Sequence, residues 1–281
     1  MIQPPSASII QHAVANSLAE DIGNGDITAA LIDTDRPATA TLITHEPACI
    51  AGAPWVNEVC AQVDPSIQVH WAAAEGTQVK AGQTIAQFTG PARSLLTAER
   101  TALNWLQTLS GVATQTQRLL ESLAGSPAKL LDTRKTVPGL RHAQKYAVRC
   151  GGGDNHRMGL YDAYLIKENH IQHAGSIAAV IQQARQLKPD VPVEIEVENL
   201  EEFDQAQRAA ADIIMLDNFS IDDIHTAVSR KNPSIKLEVS GNITLDNIHQ
   251  YAATGVDFIS TGSITKHIKA IDFSMRLYNI L

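Results

Sequence analysis

The sequence predicts an α/β protein whose second half is a parallel barrel. Two observations predict it. From about residue 130 onward, short apolar runs alternate with helical patterns at roughly 20- to 30-residue intervals, the length of a strand–loop–helix–loop unit. Each of those runs also ends in a polar residue of a reactive kind. In a parallel barrel the carboxyl ends of all strands converge on one mouth, so residues far apart in sequence would meet there. An open doubly wound sheet follows similar logic at its switch point, but that arrangement uses two neighbouring strands, whereas here every strand is so ended.

The first part of the chain reads differently. Ile9 to Glu20 has the pattern of a short amphipathic helix, and Asp21-Ile22-Gly23-Asn24-Gly25-Asp26 reads as the turn after it. Thr39 to Thr44 and Ala48 to Ala51 read as strands, and Pro54 to Val63 as a helix. Gln68 to Ala72, Gln78-Val79 and Thr84 to Thr89 read as strands separated by Glu75-Gly76 and Ala81-Gly82 turns. A long helix from about Ser94 to Ala124 follows, with Leu95, Leu96, Ala98, Leu103, Leu106 and Leu109 on its apolar face. Gly125-Ser126-Pro127 breaks that helix and sets the expected boundary between a domain at 1–125 and a barrel at 126–281.

In the second part the predicted strands are Leu130–Thr133, Ala163–Lys167, Val193–Val197, Ile213–Asp217, Leu237–Ser240 and Phe258–Thr261. Their near-continuous apolar character fits strands buried on both faces. The helical patterns between them are Arg141–Arg149, Ser176–Leu187, Leu200–Ala210, Ile221–Arg230 and Leu245–Ala253.

Composition narrows the function classes. At 281 residues, 44% hydrophobic and 19% charged, the chain has the make-up of a globular enzyme. A net charge of −8 argues against a general nucleic-acid binder, which needs a broad basic surface. No apolar run approaches the ~20 residues of a membrane span, and Met1-Ile2-Gln3-Pro4-Pro5 lacks the pattern of a signal peptide. Cys49, Cys60 and Cys150 lack paired spacing and read as reduced thiols of a cytoplasmic protein.

Against that acidic background, residues 132–170 concentrate cations among hydrogen-bonding groups. Arg134, Lys135, Arg157 and Lys167, with His156 nearby, arise from two strands and the loop between them. Arginine forks match carboxylates in pairs and lysine acts as a point charge, so a planar di-acid or a phosphate-rich ligand suits the group. Arg141, Lys145 and Arg149, at helical spacing, read as a solvated helix face. His142, His170 and His173 read as structural.

Two late loops, Ser240-Gly241-Asn242-Ile243 and Ser260-Thr261-Gly262-Ser263-Ile264, have the glycine-and-hydroxyl composition that lets backbone N–H groups approach a phosphate. Their occurrence after successive strands matches the place where barrels hold phosphate. Glu196 and Asp217 end successive strands. They would either share a hydrated Mg²⁺ with ligand phosphates or orient Lys167 and Arg157. Glu194 and Glu198 alternate with Glu196 and should share its face. Arg100, from its surroundings alone, reads as an exposed helix charge. A barrel lyase with Lys167 as Schiff-base nucleophile, and a carrier module modified at Lys80, are weaker alternatives.

The stretches Asp132-Thr133-Arg134-Lys135-Thr136, Gly152-Gly153-Asp154-Asn155-His156-Arg157 and Leu165-Ile166-Lys167-Glu168-Asn169-His170 closely resemble quinolinate phosphoribosyltransferase. The likeness extends from Glu20-Asp21 through Glu99-Arg100 to Ser240-Gly241-Asn242-Ile243 and Thr261-Gly262-Ser263-Ile264-Thr265. The resemblance implies an open seven-stranded α/β barrel with an N-terminal α/β sandwich domain, the extreme C-terminus packing back on that domain. It implies a reaction between quinolinate and 5-phosphoribosyl 1-pyrophosphate, catalysed by Lys135, Lys167, Glu196 and Asp217. It further implies substrate binding by Arg100, Thr133, Arg134, His156 and Arg157, and 5-phosphate binding by Ser240, Gly241, Asn242, Thr261, Gly262 and Ser263. Mg²⁺ would sit at Glu196 and Asp217, partly through water. A homodimer is implied in which Arg100 reaches the neighbouring site. At Thr265-Lys266-His267 some relatives read Thr-His-Ser, so no role is carried over to Lys266 or His267.

Overall fold

The computed structural model describes residues 2–32 and 36–278. In chain order the strands are β1 (Pro37–Thr44), β2 (Ala48–Cys49), β3 (Gln68–Trp71), β4 (Gln78–Val79), β5 (Thr84–Pro91), β6 (Lys129–Leu131), β7 (Tyr164–Ile166), β8 (Val193–Val197), β9 (Ile213–Asp217), β10 (Lys236–Ser240), β11 (Phe258–Ser260) and β12 (Phe273–Tyr278). The α-helices are α1 (Ala7–Ile22), α2 (Ala53–Val63), α3 (Ala92–Glu121), α4 (Arg141–Cys150), α5 (Glu168–Ala174), α6 (Ile177–Leu187), α7 (Leu200–Arg208), α8 (Ile221–Arg230), α9 (Ile248–Ala252) and α10 (Ser263–Lys266). Two compact units result. One comprises Met1–Gln117, Val137–Gly152 and His267–Leu281, the other Arg118–Thr136 and Gly153–Lys266.

The first unit is built on an antiparallel sheet of order β12-β1-β5-β3. Along β1 the side chains alternate, with Ala38, Ala40, Leu42 and Thr44 buried, as a strand with one face on a core requires. β12 pairs with β1 from Thr39–Tyr278 to Thr44–Phe273. Residues 279–281 of the expected C-terminal return lie outside the described residues. The long helix α3 buries Leu95, Leu103, Leu106 and Leu109. It also brings Trp105 to stack on Trp55, with ring centroids 5.8 Å apart. Helix α4 belongs to this unit and places Tyr146 against the same Trp55 at 5.4 Å.

Helix α4 corrects one expectation. Arg149 is exposed, but Lys145 is fully buried, so the three basic residues do not share a solvated face. The reason is enclosure: Ala143, Gln144, Tyr146, Ala147, Val148 and Cys150 are buried as well, and helical spacing cannot separate a wet face from a dry one when nearly the whole helix is covered.

The second unit is a parallel sheet of order β6-β11-β10-β9-β8-β7. A parallel bridge from Leu131 to Asp154 adds a seventh position beside β6. Each strand therefore lies beside its sequence neighbours around the ring, except between Asp154 and β7, where no ladder joins them among the described residues. That gap is where the α/β barrel is open. The intervening helices start as their sequences dictate. Ser176, Asn199 and Ser220 cap α6, α7 and α8 by accepting N–H groups of their first turns. Acidic residues follow in the first turns of α7 and α8 and arginines in the last, matching the helix dipole.

The two faces of these strands differ. Val193, Ile195, Val197, Ile214, Leu216, Leu237, Val239 and Ile259 are buried apolar residues. The residues alternating with them include Glu194, Glu196, Asp217, Glu238, Ser240 and Ser260. One face thus carries the apolar core and the other polar chemistry, in place of the uniformly apolar strands expected. α9 begins at Ile248, three residues later than its pattern suggests. β12 and α5 lie outside the elements read from the sequence, and α5 buries no residue at all.

Candidate active site

The strand ends of the second unit enclose a cavity of about 570 Å³, within the usual range for a small-molecule site. Arg134, Lys135, Arg157 and Lys167 line it together with two carboxylates, Glu196 and Asp217. Thr133, His156 and the loop Ser240-Gly241-Asn242 complete the wall, with Leu165, Met215, Asn218 and Ser260. Four cations face two carboxylates, so the lining favours a ligand with several negative charges.

The loop after β6 carries Thr133 to Lys135 and is tied down on both sides. The Lys135 N–H donates to Thr133 Oγ1 at 3.0 Å, and Thr265 Oγ1 donates to the Lys135 carbonyl at 2.9 Å. Gly262 packs directly on this loop: a Cβ there would lie 2.8 Å from Lys135 Cδ and 3.3 Å from Thr133 Oγ1. Glycine at 262 is therefore what lets the last loop reach the basic segment.

Lys167 follows β7 and forms an ion pair with Glu196 on β8. Its own N–H donates to the ring of His170 at 3.0 Å, which gives His170 a structural task at the start of α5. Asp217, at the end of β9, accepts from Asn218 Nδ2 at 3.0 Å. Asn218 has a left-handed φ of 54°, and its N–H reaches Ser240 O at 3.1 Å. Gly241, at φ +109°, lies so close to the Asn218 side chain that no Cβ would fit. That close approach draws the two loop ends into one rim.

His156 and Arg157 come from the open side of the barrel. Asp132, fully buried, accepts the His156 N–H at 2.9 Å and Asn155 Nδ2 at 2.6 Å. His156 Nδ1 accepts the Arg157 N–H at 2.7 Å, and its Nε2 lies 3.0 Å from Glu194 Oε2 and 3.6 Å from Glu238 Oε1. Burial, and then the nearby charge of Glu194, pushes the Glu238 carboxyl up to about 8. Burial and the neighbouring Arg134 lower the Arg157 guanidinium from its ordinary value, while Glu194 and Asp162 oppose that shift. Two guanidinium groups held beside one another make a binding place for paired carboxylates.

Comparison with known proteins identifies the family. Residues 26–110 match the model for the quinolinate phosphoribosyl transferase N-terminal domain, and residues 112–276 the model for its C-terminal domain. The chain belongs to the quinolinate phosphoribosyltransferase family. The nicotinate-nucleotide pyrophosphorylase (carboxylating) of Mycobacterium leprae is 38% identical over 271 residues, covering 94% of this chain and 95% of that protein. A mitochondrial quinolinate phosphoribosyltransferase (decarboxylating) of Nicotiana tabacum is 37% identical, covering 98% of this chain and 85% of that protein. The structure of the nicotinate-nucleotide pyrophosphorylase from Francisella tularensis superposes with a TM-score of 0.96 at 52% identity, covering 99% of each chain.

Within this family framework the residues picked from the sequence fall into four groups. Thr133, Arg134, Lys135, His156, Arg157, Lys167, Glu196, Asp217, Ser240, Gly241 and Asn242 share the one cavity. Gly262 abuts its wall through Lys135 and Thr133. Thr261 and Ser263 are held in local bonding: Thr261 Oγ1 donates to Ile243 O at 2.8 Å and accepts the Ser263 N–H at 3.2 Å. Arg100 is exposed on α3 of the first unit and is not among the residues lining the cavity.

Sequence reasoning gave no role to Leu165 and Met215, and named Asn218 and Ser260 only as parts of a strand end and a phosphate loop. Alternation along each strand was the available signal, since Leu165 shares a face with Lys167 and Met215 with Asp217. The partnership of Glu194 with His156 also differs from the expectation. Glu194 shares the face of Glu196 on β8 but is buried, whereas Glu198 lies beyond the end of the strand and is exposed.

Proposed function

We propose that this protein transfers phosphoribosyl from 5-phosphoribosyl 1-pyrophosphate to quinolinate with decarboxylation, giving nicotinate mononucleotide, pyrophosphate and CO₂ in NAD biosynthesis. The observation that carries this reading is the meeting of Arg134 and Arg157 with Lys135, Lys167 and the Ser240-Gly241-Asn242 loop in one cavity. The guanidinium groups match the two carboxylates of a pyridine di-acid. The glycine loop suits the 5-phosphate of the donor. The Schiff-base alternative would require Lys167 to leave its ion pair with Glu196 before it could attack a carbonyl.

The chemistry needs positioning and charge control more than it needs acid or base. The pyridine nitrogen attacks C1 of the ribose as the bond to pyrophosphate breaks. Glu196 and Asp217 favour the positive charge that develops at the sugar. Lys135 and Lys167 offset the negative charge on the departing group. Once ribosylated, the ring nitrogen is cationic and stabilises the electron pair left on the adjacent ring carbon when its carboxylate departs as CO₂; that carbon then takes a proton from water to give nicotinate mononucleotide.

Glu196 and Asp217 form an all-oxygen donor set on the same face of adjacent strands, which fits a hard cation bound mostly through phosphate and water. They would hold Mg²⁺, which when bound supplies neutralisation of pyrophosphate charge. We assign Arg100 to the site of a neighbouring subunit in a homodimer, in keeping with its exposure on α3. We place the reaction in the cytoplasm, in keeping with three buried free cysteines. Among the described residues no helix is long and apolar enough to cross a membrane.

Pyrophosphate release measured with quinolinate, with nicotinate and with no acceptor tests the reading. It predicts release with quinolinate alone. Equal release with nicotinate, or without an acceptor, would contradict it.

A further inference from the structure

Behind His156 lies a buried cluster that the reaction as described does not use. Glu194 is 3% exposed and Glu238 is 0% exposed. Both carboxylate oxygens of Glu238, and Oε1 of Glu194, lack a hydrogen-bond partner among the described residues. Such groups are costly to bury and call for a reason.

A metal ion is the first candidate, since one donor atom each from His156, Glu194 and Glu238 lies within 4.8 Å of the others. The hydrogen bonding argues against it. His156 Nδ1 accepts the Arg157 N–H at 2.7 Å, so that nitrogen carries no proton. In the neutral ring the proton must then sit on Nε2, which lies 3.0 Å from Glu194 Oε2. A protonated ring nitrogen has no lone pair to offer a metal.

We infer that Glu194 is a positioning residue for the acceptor subsite, holding the Nε2–H of His156 so that Nδ1 in turn fixes the backbone of Arg157. The inference rests on the reading of Arg157 as a carboxylate ligand of quinolinate. Asp132 supplies the opposite half of the clamp, since it accepts the His156 N–H and the Asn155 side chain. The Asp154–Arg157 segment, bridged to β6 only at Asp154, is thereby held on both sides of His156 at the open edge of the barrel. Glu238 has a separate part. Two full negative charges beside the ring would draw a second proton onto it, and Nδ1–H would then oppose the Arg157 N–H. Burial, and then the charge of Glu194, raises the Glu238 carboxyl, which disfavours two full charges standing together beside the ring.

The test joins a substrate-free signal to a kinetic one. In full-length protein labelled with ¹⁵N-histidine, the His156 ring signals are identified by their loss in His156→Gln. The inference expects a neutral ring protonated at Nε2 in the wild type. Glu194→Leu should abolish that pattern and raise the quinolinate KM on the order of tenfold, with the donor KM within about twofold of wild type. Glu194→Gln, whose amide oxygen accepts the same proton, should restore the quinolinate KM.

A wild-type ring protonated at Nδ1, or at both nitrogens, would overturn the inference. So would stoichiometric Zn²⁺ retained by the wild type and lost in Glu238→Gln, or an equal rise of both KM values in Glu194→Leu. Should Glu194→Leu fail to fold, the wild-type ring signals and the Glu194→Gln saturation curve decide. A wild type without quinolinate turnover would sink the acceptor reading alone, because the ring signals test the clamp without substrate.

Discussion

Lys167 and Glu196, at the carboxyl ends of the paired strands β7 and β8, form an ion pair inside the cavity, with the lysine 41% and the carboxylate 12% exposed. The pair stands at the mouth, so each member is available to substrate while orienting the other. Glu196→Gln removes both the anchor of Lys167 and a carboxylate near the developing positive charge. Its kcat should fall on the order of 10²-fold, with a smaller change in quinolinate KM. Because the two act as a unit, the double variant Lys167→Ala/Glu196→Gln should lose little more than the worse single variant. Steady-state kinetics of the three variants check this; fully multiplicative losses would count against it.

Arg134 lies close enough to Arg157 to help burial lower the Arg157 guanidinium from its ordinary value. A planar fork meets a carboxylate with two bonds, and lysine cannot reproduce that geometry. Arg157→Lys should therefore raise the quinolinate KM by roughly tenfold or more while sparing the donor KM. Saturation curves for each substrate give the answer.

Gly262→Ala probes the junction between the last loop and the basic segment. The added Cβ would press on Lys135 at 2.8 Å from Cδ and 3.2 Å from Cβ, so the lysine must turn away. Activity should fall by about tenfold, whereas the thermal midpoint moves little because Lys135 is a flexible side chain on the cavity wall. A variant with wild-type turnover would show that Lys135 need not occupy this position.

Glu238 makes stability depend on pH. Its carboxyl is pushed from 4.5 to about 8 by burial first, then by the charge of Glu194 and, more weakly, Glu196, with His156 opposing. Unfolded, the group releases its proton near its ordinary value, while the folded protein retains it. The stabilisation is whole below about pH 4.5 and is lost as pH rises through about 8. The lowered carboxyls of Asp26, Asp64, Asp212 and Asp257 act on the acid side of this window. The urea midpoint of the wild type should fall between about pH 5 and about pH 8. In Glu238→Gln, which keeps the neutral shape, the fall should be smaller.

Much of the barrel was legible because its strands are short apolar runs bounded by reactive residues and separated by capped helices. Val193–Val197 and Ile213–Asp217 were readable to the residue, since a carboxylate lining the cavity, Glu196 or Asp217, stands next to or at the last residue of each. The seventh position was not readable as a strand: Asp154 contributes one bridge within a glycine-rich loop, and a single bridge leaves no periodic pattern. Lys145 misled because local spacing shows which residues share a face, but long-range packing decides whether the other face is covered. In the site, the cations announced themselves by density on an acidic chain. Glu238 and its relation to His156 did not, because it sits in a strand whose pattern gives no hint of a histidine 82 positions earlier. For Arg100, family resemblance alone points to substrate.

The most direct test supplies purified protein with Mg²⁺, 5-phosphoribosyl 1-pyrophosphate and quinolinate labelled in its 2-carboxylate. The account predicts labelled CO₂ released one-for-one with pyrophosphate, and none when either substrate is omitted. Labelled CO₂ without the phosphoribosyl donor, or pyrophosphate released without any CO₂, would contradict it.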